Sequence, residues 1–449
     1  MNQEQGTERI FHRALKDGWP KISHGEGVYL VDTEGRRYLD ACAGVHVVSI
    51  GHGVEQIAQA MHAQASQVTF TYSRFVTQAQ IDLADHIAQR TPGDLNRVFF
   101  VSGGSEATES ALKMARKYHL ATGNPQKYQV ISRWQSWHGN TVGAMSMSGR
   151  SLWRQDYEPY LLQFPHIPPP YCYRCPEDTR PHHCGLNGAE ELERIIHQVG
   201  AQNISAFIAE PVLGTSACGA MPPDNYFPDI RAVCDRHNIL LIVDEVVTGF
   251  GRTGLDFGIQ HWDVVPDILA TGKGLSSGYA PLAATVTSEK VFQGIYQEET
   301  SFSHGHTYGG NPLSCAVGLA VQQYIEEHQL VEQCRRMGAL LLERLQALAD
   351  ECPIVGQVRG QGLLNGIDLV ADKNGPKWFD PARGVTARAV ELAFERGVLI
   401  MPGAPGLVDG VNGDHLAISP PFTISEAEID QTVAVLRDSL AVLATELGY

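Results

Sequence analysis

The chain has 449 residues, 43% hydrophobic and 19% charged, with 45 Gly and 24 Pro; this is the balance of a folded globular protein and excludes disordered, collagenous and membrane-embedded classes. Lysine and arginine number 34 against 50 acids, a net charge of −16, so a polyanion is repelled and nucleic acid is not expected as a partner. The polar start MNQEQG, the lack of any apolar window of about 18 residues, and nine cysteines without secreted-scaffold spacing lead to the expectation of a cytoplasmic protein with reduced thiols, neither exported nor embedded.

In chain order, the run GVYLVDTEGRRYLD starting at Gly27 sets two strand-like pieces around the turn Asp32-Thr33-Glu34-Gly35, which predicts a hairpin in a small N-terminal lobe. Beyond about Thr71, short apolar runs alternate with helical patterns: Val98–Val101, Gln129–Ser132, Ile204–Ala209, Ile239–Val243 and Ile268–Ala270. Runs of that length separated by helices predict a parallel α/β sheet. After Asn311 the pattern turns helical, in one long amphipathic segment through Leu348. A Gly-punctuated strand region, Val358–Leu369, and a last helix, Ser425–Leu443, complete a second α+β lobe. Pro168–Gly188 and the Pro/Gly-rich Ala404–Gly413 are irregular excursions long enough to carry function.

Three places along these elements suggest chemistry. Val101-Ser-Gly-Gly-Ser-Glu-Ala107 follows an apolar strand and opens a helix with Ala107, Ala111, Met114, Ala115 and Tyr118 on one face. The N–H groups and dipole of such a helix start suit a phosphate, with Gly103 and Gly104 permitting close approach; a tight turn that binds nothing is the competing reading. Asp244 and Glu245 end a buried strand, where ligands sit in open α/β sheets, although a helix cap or a metal-binding acid also fits. A glycine-laced loop, Val246–Gly254, follows. Lys273 lies just past another strand, among small residues that leave room for a flat ligand. A solvated ammonium is the ordinary reading of it, and a desolvated Schiff-base nucleophile the sharper one.

GGSEATESALKMAR, SWHGNT, AEPV, DEVVTGFGRTG, PDILATGKGLSSGYAPL, HTYGGNPLSCAVGLA and GLLNGIDL occur in this order over nearly the whole chain, and through them the sequence resembles the class III aminotransferases, fold type I enzymes dependent on pyridoxal 5'-phosphate (PLP). The resemblance implies an α/β fold: a large domain, residues 71–325, with a mixed, mostly parallel sheet flanked by helices, and a small α+β domain drawn from residues 1–70 and 326–449. It makes Lys273 the Schiff-base lysine and Asp244 the partner of the pyridine nitrogen, with Gly104 and Ser105 at the phosphate. Trp137 would stack on one ring face, Val246 on the other, with His138 packed near the cofactor and Glu210 on the Asp244 side. Thr307 would reach the phosphate of a neighbouring subunit, which requires a homodimer with active sites at its interface, alone or paired into a tetramer. The implied reaction is ping-pong: an amine donor displaces Lys273, the freed lysine moves a proton, pyridoxamine phosphate remains, and a 2-oxo acid runs the steps backward.

Departures from the family pattern bear on substrate. Relatives that handle α-amino acids carry an arginine shortly before a Pro-Pro pair; here Ala417 stands ahead of Pro420-Pro421. Val45 replaces the glutamine of dialkylglycine decarboxylases, and Asn140 in GNT replaces an arginine of γ-aminobutyrate and ornithine enzymes. With KGLSSGYAPL and HGHTY, these make the resemblance closest to omega-aminotransferases acting on β-alanine, taurine or simple amines with pyruvate. Racemisation, phospholyase elimination and decarboxylation-dependent transamination stay open as alternatives on the same scaffold; an intact Lys273, Asp244 and phosphate turn argue against a catalytically silent binding protein. No metal is expected at the catalytic motifs. Cys172, Cys175 and Cys184, with His182 and His183 between, offer a zinc option elsewhere, against a reduced surface loop. His52 and His138 are expected to orient backbone or pack rather than act as bases.

Overall fold

The computed structural model describes residues 9–11, 19–171, 188–297, 302–375 and 377–449. The cysteines of the zinc option, Cys172, Cys175 and Cys184, lie outside the described residues. Near the N-terminus, β1 (Ile22–Glu26), β2 (Tyr29–Asp32) and β3 (Arg37–Asp40) form an antiparallel meander. The hairpin expected from the sequence is β2–β3: Asp32 Oδ1 accepts the N–H groups of Glu34 and Arg36 at 3.0 and 2.9 Å, and Gly35 takes the positive φ, 85°, that closes the turn. β1 is an exposed, polar edge strand, ISHGE, without the apolar alternation that would announce it.

The central sheet contains β4 (Leu95–Val101), β5 (Gln129–Arg133), β6 (His166–Ile167), β7 (Ile204–Ala209), β8 (Leu240–Glu245), β9 (Ile268–Thr271) and β10 (Ala283–Ser288), in the order β4-β10-β9-β8-β7-β5-β6. β10 is antiparallel to both of its neighbours, so the other strands all run one way. All five runs expected as strands are present. β10, AATVTS, was not expected, because small and hydroxyl residues dilute its apolar signal. Each of its residues is nevertheless buried, and Thr285 Oγ1 donates to the Ala107 carbonyl at 2.8 Å beneath the helix Gly104–Ala121. β8 is buried throughout; each of its large aliphatic side chains contributes roughly 1.5–3 kcal/mol on leaving water, which anchors the acids that follow.

The long helical segment after Asn311 is two helices, Pro312–Glu327 and Leu330–Glu351. Gln329, at φ 53°, breaks them, while the apolar periodicity continues across the break and reads as one pattern in the sequence. β11 (Val355–Gly360) and β12 (Asn365–Leu369) pair as an antiparallel hairpin; β13 (Val398–Leu399), β14 (Met401–Pro402) and β15 (Asp414–Ile418) follow. β13 runs parallel to β3 with Val398 opposite Leu39, so the two ends of the chain share one sheet. Ser425 caps the last helix, Glu426–Leu447, through a capping box with Glu428, and Ile429, Val433, Leu436, Leu440 and Leu443 form its buried stripe. Among the described residues, no helix is long and apolar enough to cross a membrane.

Candidate active site

Strand register assembles the site. β8 and β9 are parallel neighbours with Asp244 opposite Ala270 and Glu245 opposite Thr271, and Lys273 comes two residues after β9 ends. β4 runs the same way and delivers the Gly103–Gly104 helix start to the same carboxyl edge. A cavity of about 700 Å³ opens there, lined by Gly104, Ser105, Trp137, His138, Glu210, Asp244, Val246 and Lys273, eight residues the sequence motifs single out.

Lys273 is held in a costly conformation. Its φ of 39° lies in the left-handed region, at a cost of about 1–3 kcal/mol for a non-glycine residue. The surroundings over-determine it. Its carbonyl accepts the N–H groups of Ser276 and Ser277 at 3.3 and 3.0 Å, and Gln322 Nε2 donates to the next two carbonyls, Gly274 and Leu275, both at 2.9 Å. Ser277 Oγ in turn accepts the N–H groups of Ser49 and Ile50 at 2.7 and 3.0 Å. Burial lowers the Lys273 pKa to about 8; the Asp244 carboxylate opposes that shift and the Arg252 guanidinium reinforces it.

Asp244 is fixed from two sides. Its Oδ2 is 2.7 Å from His138 Nδ1, and its Oδ1 accepts the Val246 N–H at 3.0 Å. With the carboxylate accepting, the imidazole carries a proton on Nδ1. His138 is thus the direct partner of Asp244, a contact that the sequence motifs did not specify. Glu210 is pinned as well. Its Oε2 lies 3.2 Å from Arg133 Nη2, which also donates to the Glu210 carbonyl at 2.6 Å, while Oε1 accepts the Trp137 N–H at 3.2 Å. Glu210 thus positions the backbone that presents the Trp137 ring. Glu245 faces the other way, accepting from Thr248, Gly258 and Ile259, and belongs to the core.

Glycines shape the cavity wall at this helix start. A Cβ on Gly104 would meet Val246 Cγ1 at 2.7 Å, and Gly139, at φ 141°, lies so close to Ser105 that a Cβ would meet its Oγ at 2.5 Å. Ser105 Oγ accepts the Asn140 N–H at 3.0 Å, tying the SWHGNT loop to the helix start.

Thr307 is exposed and does not line this cavity. Val45 and Asn140 do line it. Ala417 is fully buried on β15 and contributes no wall. Among the described residues, no group of three or more His, Cys, Asp or Glu is placed to hold a metal ion. Sequence reasoning missed Arg150 and Trp153, which line the cavity together with Met401 and Pro405. The signal was there in part: SGRSLW follows SWHGNT closely, and Pro405 lies in the excursion flagged at Ala404–Gly413.

The family model for aminotransferase class III matches residues 16–440. An uncharacterized aminotransferase of Bacillus subtilis, YodT, is 38% identical over 96% of this chain and 97% of its own length. The putrescine–pyruvate aminotransferase of Pseudomonas aeruginosa is 37% identical over 93% of this chain and 90% of its own. A crystal structure of an amine transaminase from an uncultivated Pseudomonas species, in a PLP-bound form, superposes with a TM-score of 0.89 at 36% identity, covering 98% of this chain and 99% of that one. The chain belongs to the class III aminotransferases, PLP-dependent enzymes that pass an amino group between small-molecule amines and oxo acids.

Proposed function

We propose that this enzyme moves the amino group of a simple amine or short ω-amino acid to pyruvate in a ping-pong reaction, with Lys273 and Asp244 as its catalytic residues. The observation that carries this reading is the convergence, in one cavity, of a desolvated Lys273 with an Asp244 carboxylate braced by His138.

The residues fit PLP. Asp244 uses two of its roughly four lone-pair directions on His138 and Val246, leaving others for the N–H of a pyridinium. Gly104 and Ser105 present a helix N-terminus to a phosphate. A flat ring fits between Trp137 and Val246, with His138 and Glu210 supporting the Asp244 side. When bound, PLP supplies an electron sink for the carbanion left by loss of a substrate proton. Asp244, negative and buried, keeps a proton on the ring nitrogen and so preserves that sink. Lys273, with its pKa near 8, is substantially neutral at mildly alkaline pH and can take a proton from the substrate carbon and return it.

The walls favour small or apolar donors. Val45, Trp153 and Met401 line the cavity, and Ala417 supplies no guanidinium for an α-carboxylate. Exposed Thr307 supports a homodimer in which this residue reaches the phosphate in the neighbouring subunit, with dimers able to pair into tetramers. The sheet shared by β3 and β13 supports a small domain built from residues 1–70 and 326–449 against a large domain, 71–325. The six described cysteines, all free and buried, support a reducing cytoplasmic setting.

The test is a half-reaction screen. β-Alanine, taurine, alanine, γ-aminobutyrate and 1-phenylethylamine are added singly to the holoenzyme, without acceptor, while the visible cofactor band is followed. Bleaching by amines that lack an α-carboxylate, reversed by pyruvate, is the expected result. Failure of every amine to bleach a visibly bound cofactor contradicts the reading.

A further inference from the structure

Another cavity, of about 600 Å³, opens along the C-terminal half of the helix Gly104–Ala121, and none of its lining residues belongs to the cofactor cavity. Lys113, Arg116 and Lys117 lie on it at i, i+3 and i+4, which puts Lys113 about 5–6 Å, Cβ to Cβ, from each of the other two. A chain with 34 basic against 50 acidic residues thus gathers three cations in one cleft, and no Asp or Glu lines it.

These charges are not neutralised among the described residues. Arg116 Nη1 donates to the Pro125 and Lys127 carbonyls, both at 2.7 Å, so neutral partners fix the guanidinium and Nε and Nη2 remain for a ligand. Lys113 Nζ donates to His304 Nδ1 at 3.3 Å; Glu109, one turn back on the same helix, is taken up by Thr141 Oγ1 at 2.6 Å and the Ala144 N–H at 3.1 Å. Lys117 forms no hydrogen bond or ion pair among the described residues. Apolar surface completes the cleft: Tyr128, Leu162 and Leu120 are 53%, 48% and 44% exposed. Open apolar side chains rimmed by charge are the mark of a binding groove.

We propose that this cleft binds a phosphate monoester with a flat aromatic body, the chemistry of a nucleoside monophosphate. A carboxylate brings one negative charge to three cations, whereas a phosphate monoester brings nearly two at neutral pH and accepts from several donors at once. Lys113 and Lys117 supply point charges, and Arg116 the open side of its fork. The Tyr128 ring offers a flat partner to the aromatic body, with Leu120 and Leu162 beside it, and the volume suits a small organic ligand. This site is separate from the catalytic one, which faces the first turn of the same helix through Gly104 and Ser105.

The test is isothermal titration calorimetry of the PLP-loaded enzyme, whose cofactor cavity is filled, against AMP, adenosine and inorganic phosphate at low salt. AMP should bind at a single site, about tenfold or more tighter than either fragment, because only AMP meets both the cations and the ring. The double variant Lys113→Ala/Lys117→Ala should weaken AMP about 30-fold or more, and Tyr128→Ala about 5- to 10-fold through lost stacking. Retention of the visible cofactor band shows that each variant is folded. Lys117→Glu, a single change, should weaken AMP about tenfold or more and gives the same reading if the double variant does not fold. The proposal is overturned if AMP binds within about twofold of inorganic phosphate or of adenosine, or if its affinity stays within about twofold of wild type in the lysine variants.

Discussion

His138 Nδ1 and Asp244 Oδ2 stand 2.7 Å apart with both residues buried, 2% and 3% exposed. Two segments far apart in sequence thereby share one function: the SWHGNT loop orients the acid that β8 presents. An outer partner of this kind commonly accounts for about 10- to 100-fold in activity. His138→Phe should therefore lower kcat by about that factor, and Asp244→Asn by about 1000-fold, since the amide cannot hold the ring nitrogen protonated. Because His138 acts through Asp244, the double variant should be no slower than Asp244→Asn within about threefold. Additive losses in steady-state rates would show that His138 works independently.

The Lys273 pKa gives a pH dependence with a definite sign. Burial lowers it to about 8, so the ammonium form, unable to attack a carbonyl, dominates below that value. Capture of PLP by the cofactor-free protein should speed up about tenfold per pH unit as pH rises toward 8, then level off. Stopped-flow absorbance reads this directly. A midpoint near the ordinary lysine value of about 10.5 would show that the site does not desolvate the amine.

Gly104 offers a steric test. Its added Cβ would lie 2.7 Å from Val246 Cγ1, and Val246 is short, stiff and close to Asp244 in sequence. Gly104→Ala should lower stability by about 1–3 kcal/mol through overpacking and weaken cofactor retention about tenfold. Thermal melts of the cofactor-free protein and equilibrium dialysis of PLP measure the two effects separately. Unchanged values for both would mean that the helix start and Val246 do not share this wall.

The strands that position the site were legible because β7, β8 and β9 are short runs of buried aliphatic residues, and those hold their period regardless of context. β10 was not, since its Ala and Thr residues become buried only through the helix laid across them. The break at Gln329 was hidden because a single left-handed residue leaves the apolar spacing intact. Within the site, Lys273, Asp244 and Trp137 stood out through ordered motifs, and the parallel register of β8 with β9 brings the first two to one edge. The pairing of His138 with Asp244 depends on side chains meeting across loops, which no local period encodes.

Borohydride reduction of the holoenzyme, followed by peptide mass mapping, asks most directly whether Lys273 is the residue that carries PLP. The expected result is a pyridoxyl adduct on the lysine of PDILATGKGLSSGYAPL, none on other lysines, and activity lost in step with the labelling. An adduct on another lysine, or full labelling of Lys273 with activity retained, would contradict the assignment.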